Sequence, residues 1–201
     1  MTDRFLDKVY TARTADETRA LYDDWSASYE AEVAENGYAT PGRCAEALTK
    51  FMSDKNAPVL DFGCGTGLSG LALKLAGFTT IDGVDLSADM LAKAGDKKAY
   101  RALRQIGADS PIDGAYEAIA AIGVIGAGAA PISTFDLIMN ALPKGGKFVL
   151  SFNDHALADP MNEGRISDWC DSGAARLLFK EYGPHLPGLG MKSNVYVIEK
   201  L

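Results

Sequence analysis

Three residue classes are scarce in this chain, and each scarcity removes a class of protein. Cysteine occurs only at Cys44, Cys64 and Cys170. An odd number at wide spacing, without a CxxC pair, argues against a disulfide framework or a zinc site and fits a reducing compartment. Lysine and arginine total 20 against 27 acids, for a net charge of −7, and nowhere form a run. Nucleic-acid binding driven by counterion release needs such a patch, so no nucleic-acid partner is expected. Long apolar runs are missing too. The best candidate, residues 118–132, is broken by Gly123, Gly126, Gly128 and Pro131 and is too short to span a bilayer. The charged first twenty residues lack the apolar core of a signal peptide. The expectation is a cytoplasmic protein with no membrane partner. Its 201 residues and 47% hydrophobic content suffice for one domain with its own core.

What is present begins with a helix. In residues 14–35, Thr14 and Glu17 form a capping box. Leu21, Tyr22, Trp25, Tyr29 and Val33 recur at threes and fours on one face, and Asn36-Gly37 stops the run. A second helix is expected from Pro41. Beyond Pro58, short apolar strands alternate with helices: "VLDF", "TTIDGVDLS" with Ser87 as a helix cap, "AYRAL", "AYEAIAAIG" and "KFVLSFN". Two closing strands, "RLLFKEY" and "NVYVIEKL", are expected around a turn at 183–190, with His185 in that turn. Such alternation predicts a mainly parallel α/β sheet covered on both faces. The division is an N-terminal helical cap, 1–56, and a Rossmann-like core, 57–201, within one domain.

Gly63, Gly65, Gly67 and Gly70 crowd the junction after the first strand. Glycine is costly in regular elements, so it marks positive φ or close approach of a ligand. Gly65-x-Gly67-x-x-Gly70, with Asp85 18 residues beyond Gly67, matches the dinucleotide fingerprint. An NAD(P)-dependent oxidoreductase is therefore one reading. Asp61 in front of the loop suits a diphosphate poorly and a cationic ligand well. S-adenosylmethionine carries an ammonium and a sulfonium and no phosphate, so the spacing favours that cofactor.

"VLDFGCGTG", "GVDLSADML", "AYEAI" and "LPKGGKFVLS" resemble the class I S-adenosylmethionine-dependent methyltransferases over residues 57–152. "LYDDWSASYEAEVAENGYATP", "EYGPHLPG" and "VYVIEK" resemble the small Williams-Beuren-related and bacterial members. The resemblance implies a three-layer fold with a seven-stranded sheet whose last strand is antiparallel. It implies that Gly63, Gly65 and Gly67 admit the methionine part and that Asp61 fixes the loop and faces the amino group. Asp85 would accept the ribose hydroxyls, with Leu86 and Met90 flanking adenine. Gly107 and Asp109 would meet the adenine amino group, and Gly123 would lie beside the methionine. Tyr22, Trp25 and Tyr29 are candidate lid residues.

The expected activity is methyl transfer to a small-molecule acceptor by in-line displacement, where positioning carries much of the catalysis. His155, just past the fifth strand, is the one candidate base, since an ordinary imidazole titrates near neutrality. No metal is expected. The loop "GVIGAGAAP" (123–131) places Ala127 and Ala129 where bacterial relatives often carry polar groups. That implies a changed substrate, transfer by proximity alone, or a module that binds the cofactor without turning it over.

Overall fold

A computed structural model describes residues 14–25, 29–126 and 128–201. Of the helix expected over 14–35, the described residues form α1 (Ala15–Trp25) and α2 (Tyr29–Glu35), and residues 26–28 lie outside the described residues. The capping box forms: the Glu17 amide donates to Thr14 Oγ1 at 3.2 Å and the Thr14 amide to Glu17 Oε2 at 3.0 Å. Gly37, at φ +72°, closes α2 with its amide on the Ala34 carbonyl. Then α3 (Thr40–Thr49) carries Pro41 in its first turn, where the missing amide costs nothing.

The core alternates as expected: β1 (Val59–Phe62), α4 (Leu68–Leu75), β2 (Ile81–Asp85), α5 (Ala88–Asp96), β3 (Ala102–Gln105), β4 (Ala118–Ala121), α6 (Ser133–Ala141) and β5 (Lys147–Asn153). A short α7 (Asp154–Leu157) and α8 (Pro160–Asp171) lead to β6 (Ala175–Leu186) and β7 (Met191–Lys200). The sheet order is β3-β2-β1-β4-β5-β7-β6. Strands β1 to β5 pair in parallel, and β7 runs antiparallel to both β5 and β6. The expected seven-stranded Rossmann-like sheet is observed.

Strands β1 and β4 are buried throughout, as parallel strands covered on both faces must be. One core, with Leu60, Ile119, Phe135, Phe148 and Tyr196, fills one face; another, with Leu48, Leu73, Phe78 and Val195, fills the other. The closing hairpin differs from expectation. Gly183, Pro184 and His185 lie within β6, and the turn shrinks to Pro187–Leu189 and Gly190. Because β6 is an edge strand, Pro184 needs no ladder partner on its open side. His185 is buried: its Nδ1 shares a 2.8 Å hydrogen bond with Thr40 Oγ1, and Tyr38 packs edge-on against its ring at 5.2 Å. Burial holds this imidazole down to about 4, below its ordinary value.

Candidate cofactor and acceptor site

Strand order reverses between β1 and β4, and in open α/β sheets the crevice beyond the strand ends at that point receives ligands. Here the crevice is a cavity of about 710 Å³, within the roughly 300–1,000 Å³ range of small-molecule sites. Its floor is the glycine loop. The amides of Gly63 and Cys64 both donate to the Val84 carbonyl, at 2.8 and 3.0 Å, drawing the loop toward the end of β2. Gly63, Gly65 and Gly67 all have positive φ, which side chains resist. A Cβ on Gly63 would strike Val124 Cγ2 at 2.6 Å, whereas one on Gly65 would meet nothing within 4 Å. Gly63 is thus required by packing, and Gly65 leaves the floor bare for a ligand.

Asp85, at the end of β2, lines the cavity. Its Oδ2 accepts the Gly65 amide at 2.7 Å and its Oδ1 the Ser87 amide at 2.9 Å. Ser87 then caps α5 through the Met90 amide at 3.1 Å and donates to Asp23 of α1. One carboxylate therefore joins loop, strand end and cap. Burial raises the Asp85 pKa, opposed by the amides of Ser87 and Gly65.

Asp61 has a different position. Fully buried and absent from the described cavity wall, it receives the Ser69 hydroxyl at 2.6 Å and the Tyr100 hydroxyl at 2.7 Å, both on Oδ2. Burial pushes its pKa up to about 6. Tyr100 also takes the Gly70 amide at 3.1 Å, so Asp61 braces the loop from behind. Nothing in the sequence marked Tyr100, which carries no motif. The signal was Gly70 and Gly83: a Cβ at either would lie within 2.2 or 2.9 Å of the Tyr100 ring.

Of the remaining expected residues, Tyr29, Leu86, Met90, Gly107, Asp109 and Gly123 line the same cavity, whereas Gly67 is absent from the described wall and lies against Ala94 of α5. The side chains of Tyr22 and Trp25 lie outside the described residues, as does Ala127. His155 sits exposed on α7 and is absent from the described wall, so the structure does not bring it to the cavity. Tyr38, unmarked by any sequence pattern, does line it; a Cβ on Gly123 would meet its hydroxyl at 2.8 Å.

A mostly parallel sheet with one reversed strand, a glycine loop after β1 and a carboxylate ending β2 define a Rossmann-like site for a nucleoside-bearing cofactor. The methyltransferase domain family matches residues 37–183, and the chain belongs to that family, within the class I S-adenosylmethionine-dependent methyltransferases. Human methyltransferase-like protein 27 is 30% identical over 132 residues, covering 62% of this chain and 54% of the relative. The chain thus spans about half the length of that relative. Among solved structures, the [4+2]-cyclase SpnF has a TM-score of 0.69 at 15% identity, covering 94% of this chain and 97% of SpnF. Magnesium protoporphyrin IX methyltransferase from Synechocystis PCC 6803, solved with bound S-adenosylmethionine, has a TM-score of 0.60 at 14% identity, covering 98% of this chain and 90% of its own.

The residues present fit S-adenosylmethionine. Asp85 keeps acceptor capacity beyond its two amide contacts, since an ionised carboxylate offers about four lone-pair sites. Thr66 Oγ1, in the cavity wall, is buried without a hydrogen-bond partner, an arrangement that a polar ligand group would complete. Among the described residues, no group of three or more His, Cys, Asp or Glu side chains is placed to hold a metal. None of the described helices is long and apolar enough to cross a membrane.

Proposed function

We propose that this protein transfers the methyl group of S-adenosylmethionine to a small-molecule acceptor by in-line displacement. The observation that carries the reading is Asp85, held by two amides at the rim of a bare glycine floor in a cavity of about 710 Å³. When bound, the cofactor supplies a methyl group already activated by sulfonium charge. The chain's task is then to hold and orient. Asp85 accepts ribose hydroxyls, Leu86 and Met90 cover one adenine face, and Gly107 to Asp109 close the adenine edge. Gly63, Gly65 and Gly123 let backbone approach the methionine part, while Asp61 keeps the loop in place through Ser69 and Tyr100.

Asp85 would serve the ribose of a nicotinamide dinucleotide equally well, so it is the match of residues 37–183 to the methyltransferase domain family that weighs against that cofactor. Tyr29, Tyr38 and Pro41 reach the cavity from the cap, and covering it keeps water from competing with the acceptor. Catalysis by orientation alone can supply effective molarities of about 10⁵ M or more. The test is release of S-adenosylhomocysteine in the presence of an acceptor panel. Acceptor-dependent release supports methyl transfer; tight cofactor binding with no release across the panel supports a binding module.

A further inference from the structure

We propose that the acceptor carries a carboxylate, held at the amino end of α6 by Ser133 and Thr134; this rests on the methyl-transfer reading above. A helix leaves its first amides without acceptors of its own. In α6 two of them are met by the chain just before it. The Thr134 amide donates to the Pro131 carbonyl at 3.0 Å and the Phe135 amide to the Ile132 carbonyl at 2.9 Å. The cap position is Ile132, whose side chain has no capping atom. The Ser133 amide is left without a hydrogen bond among the described residues.

Thr134 is an independent sign of a ligand. It lines the cavity at only 8% exposure, and its hydroxyl has no hydrogen-bond partner among the described residues. Burying a hydroxyl unpaired is costly, and buried polar atoms are ordinarily paired. Ser133 stands beside it in the same wall. Two hydroxyls and an amide thus form one patch of donors at the positive end of a helix dipole, a setting that suits an anion.

The charges around the patch agree with this. Asp136, the acid in the first turn of α6, is absent from the described wall and engaged by α8: its Oδ1 accepts the Trp169 indole at 2.8 Å, and its Oδ2 lies 3.7 Å from Arg165. Asp85 ends β2 and Asp109 follows β3, on the nucleoside side of the switch point, whereas α6 follows β4. Arg19, the cation of the described wall, is paired with Asp16 at 3.1 Å. The partners left for an anion are the α6 donors. Three neutral donors fit the single charge of a carboxylate better than a phosphate, which draws Arg or Lys. The wall residues flanking the patch in sequence, Ala129, Ala130, Pro131 and Leu137, are apolar and match an apolar body behind the carboxylate.

The experiment saturates the full chain with S-adenosylhomocysteine, which occupies the cofactor loop, and then titrates in hexanoate, 3-phenylpropanoate and indole-3-acetate by calorimetry, each beside its primary amide. At least one carboxylate should bind at least about 10-fold more tightly than its amide, because a charged acceptor roughly doubles the strength of a hydrogen bond. Thr134→Val keeps the shape of the side chain and deletes its hydroxyl. It should cut that preference while S-adenosylhomocysteine affinity holds, a split that general damage to the fold would not give. Ser133→Ala, at an exposed position, should reduce the preference too and leaves the fold unthreatened. Equal binding of acid and amide, no binding of any carboxylate, or a preference that survives both substitutions overturns the proposal. If S-adenosylhomocysteine itself does not bind, the methyltransferase reading fails and the proposal falls with it.

Discussion

Tyr100 fills the space beside Gly70 and Gly83 that a side chain there would need, and donates its hydroxyl to the buried Asp61 carboxylate at 2.7 Å. The same hydroxyl accepts the Gly70 amide, so a residue between α5 and β3 holds the start of α4. Removing that hydroxyl leaves a buried carboxylate and an amide each one partner short. Tyr100→Phe should cost about 1–3 kcal/mol, read as a lower urea midpoint, and should weaken cofactor affinity through the loop. A variant as stable as the wild type would show that the brace is incidental.

Two glycines of the loop should fail in different ways. A methyl on Gly70 would lie 2.2 Å from Tyr100 Cζ, so Gly70→Ala should destabilise the fold by about 1–3 kcal/mol, as overpacking does. A methyl on Gly65 meets no neighbour, though its φ of +51° adds strain of about 1–2 kcal/mol. Gly65→Ala should therefore lose more in S-adenosylhomocysteine affinity than Gly70→Ala does, by thermal shift and calorimetry in parallel. The reverse ranking would contradict the assignment of Gly65 to the ligand floor.

Asp61 and His185 should pull stability in opposite directions with pH. Asp61 is raised to about 6 in the fold, so between about pH 4 and 6 the native state keeps a proton that the unfolded chain releases. Its contribution falls as pH rises through that window. His185 is lowered to about 4, so between about 6.5 and 4 the unfolded chain binds a proton the native state refuses. Its contribution falls as pH drops. Relative to the wild type, Asp61→Asn should gain stability on going from pH 4 to 6, and His185→Asn on going from 6.5 to 4. Urea titrations across the range check both; two flat differences would mean that neither group is perturbed.

Much of this was legible because short-range chemistry and the fold agree. Thr14 with Glu17 and Ser87 with Met90 do what local capping rules require, and β5 falls on the expected residues. The misread places are those decided by distant partners. Gly183 and Pro184 suggest a turn, yet Arg43 donates to the Pro184 and Ser193 carbonyls at 3.0 and 3.1 Å and holds them in the hairpin. His185 becomes a core residue only because Thr40 and Tyr38 come to it from far along the chain. The "AYRAL" strand shifts to Ala102–Gln105 because Tyr100 is occupied with Asp61 and Arg101 makes a paired contact with Asp82, at 2.9 and 2.6 Å. In the site, Asp85 and the glycines were visible as a motif. Tyr38 was not, since its place over Gly123 depends on how the cap folds back.

The central claim is that Asp85 and the loop it holds form a cofactor site, and calorimetric titration with S-adenosylhomocysteine tests it most directly. Hydrogen bonds to a charged group are worth about 1.5–3 kcal/mol each. The wild type should therefore show one saturable site, weakened by on the order of 100-fold in Asp85→Ala and unchanged in His155→Ala. Absence of binding in the wild type, or equal affinity in Asp85→Ala, would contradict the account.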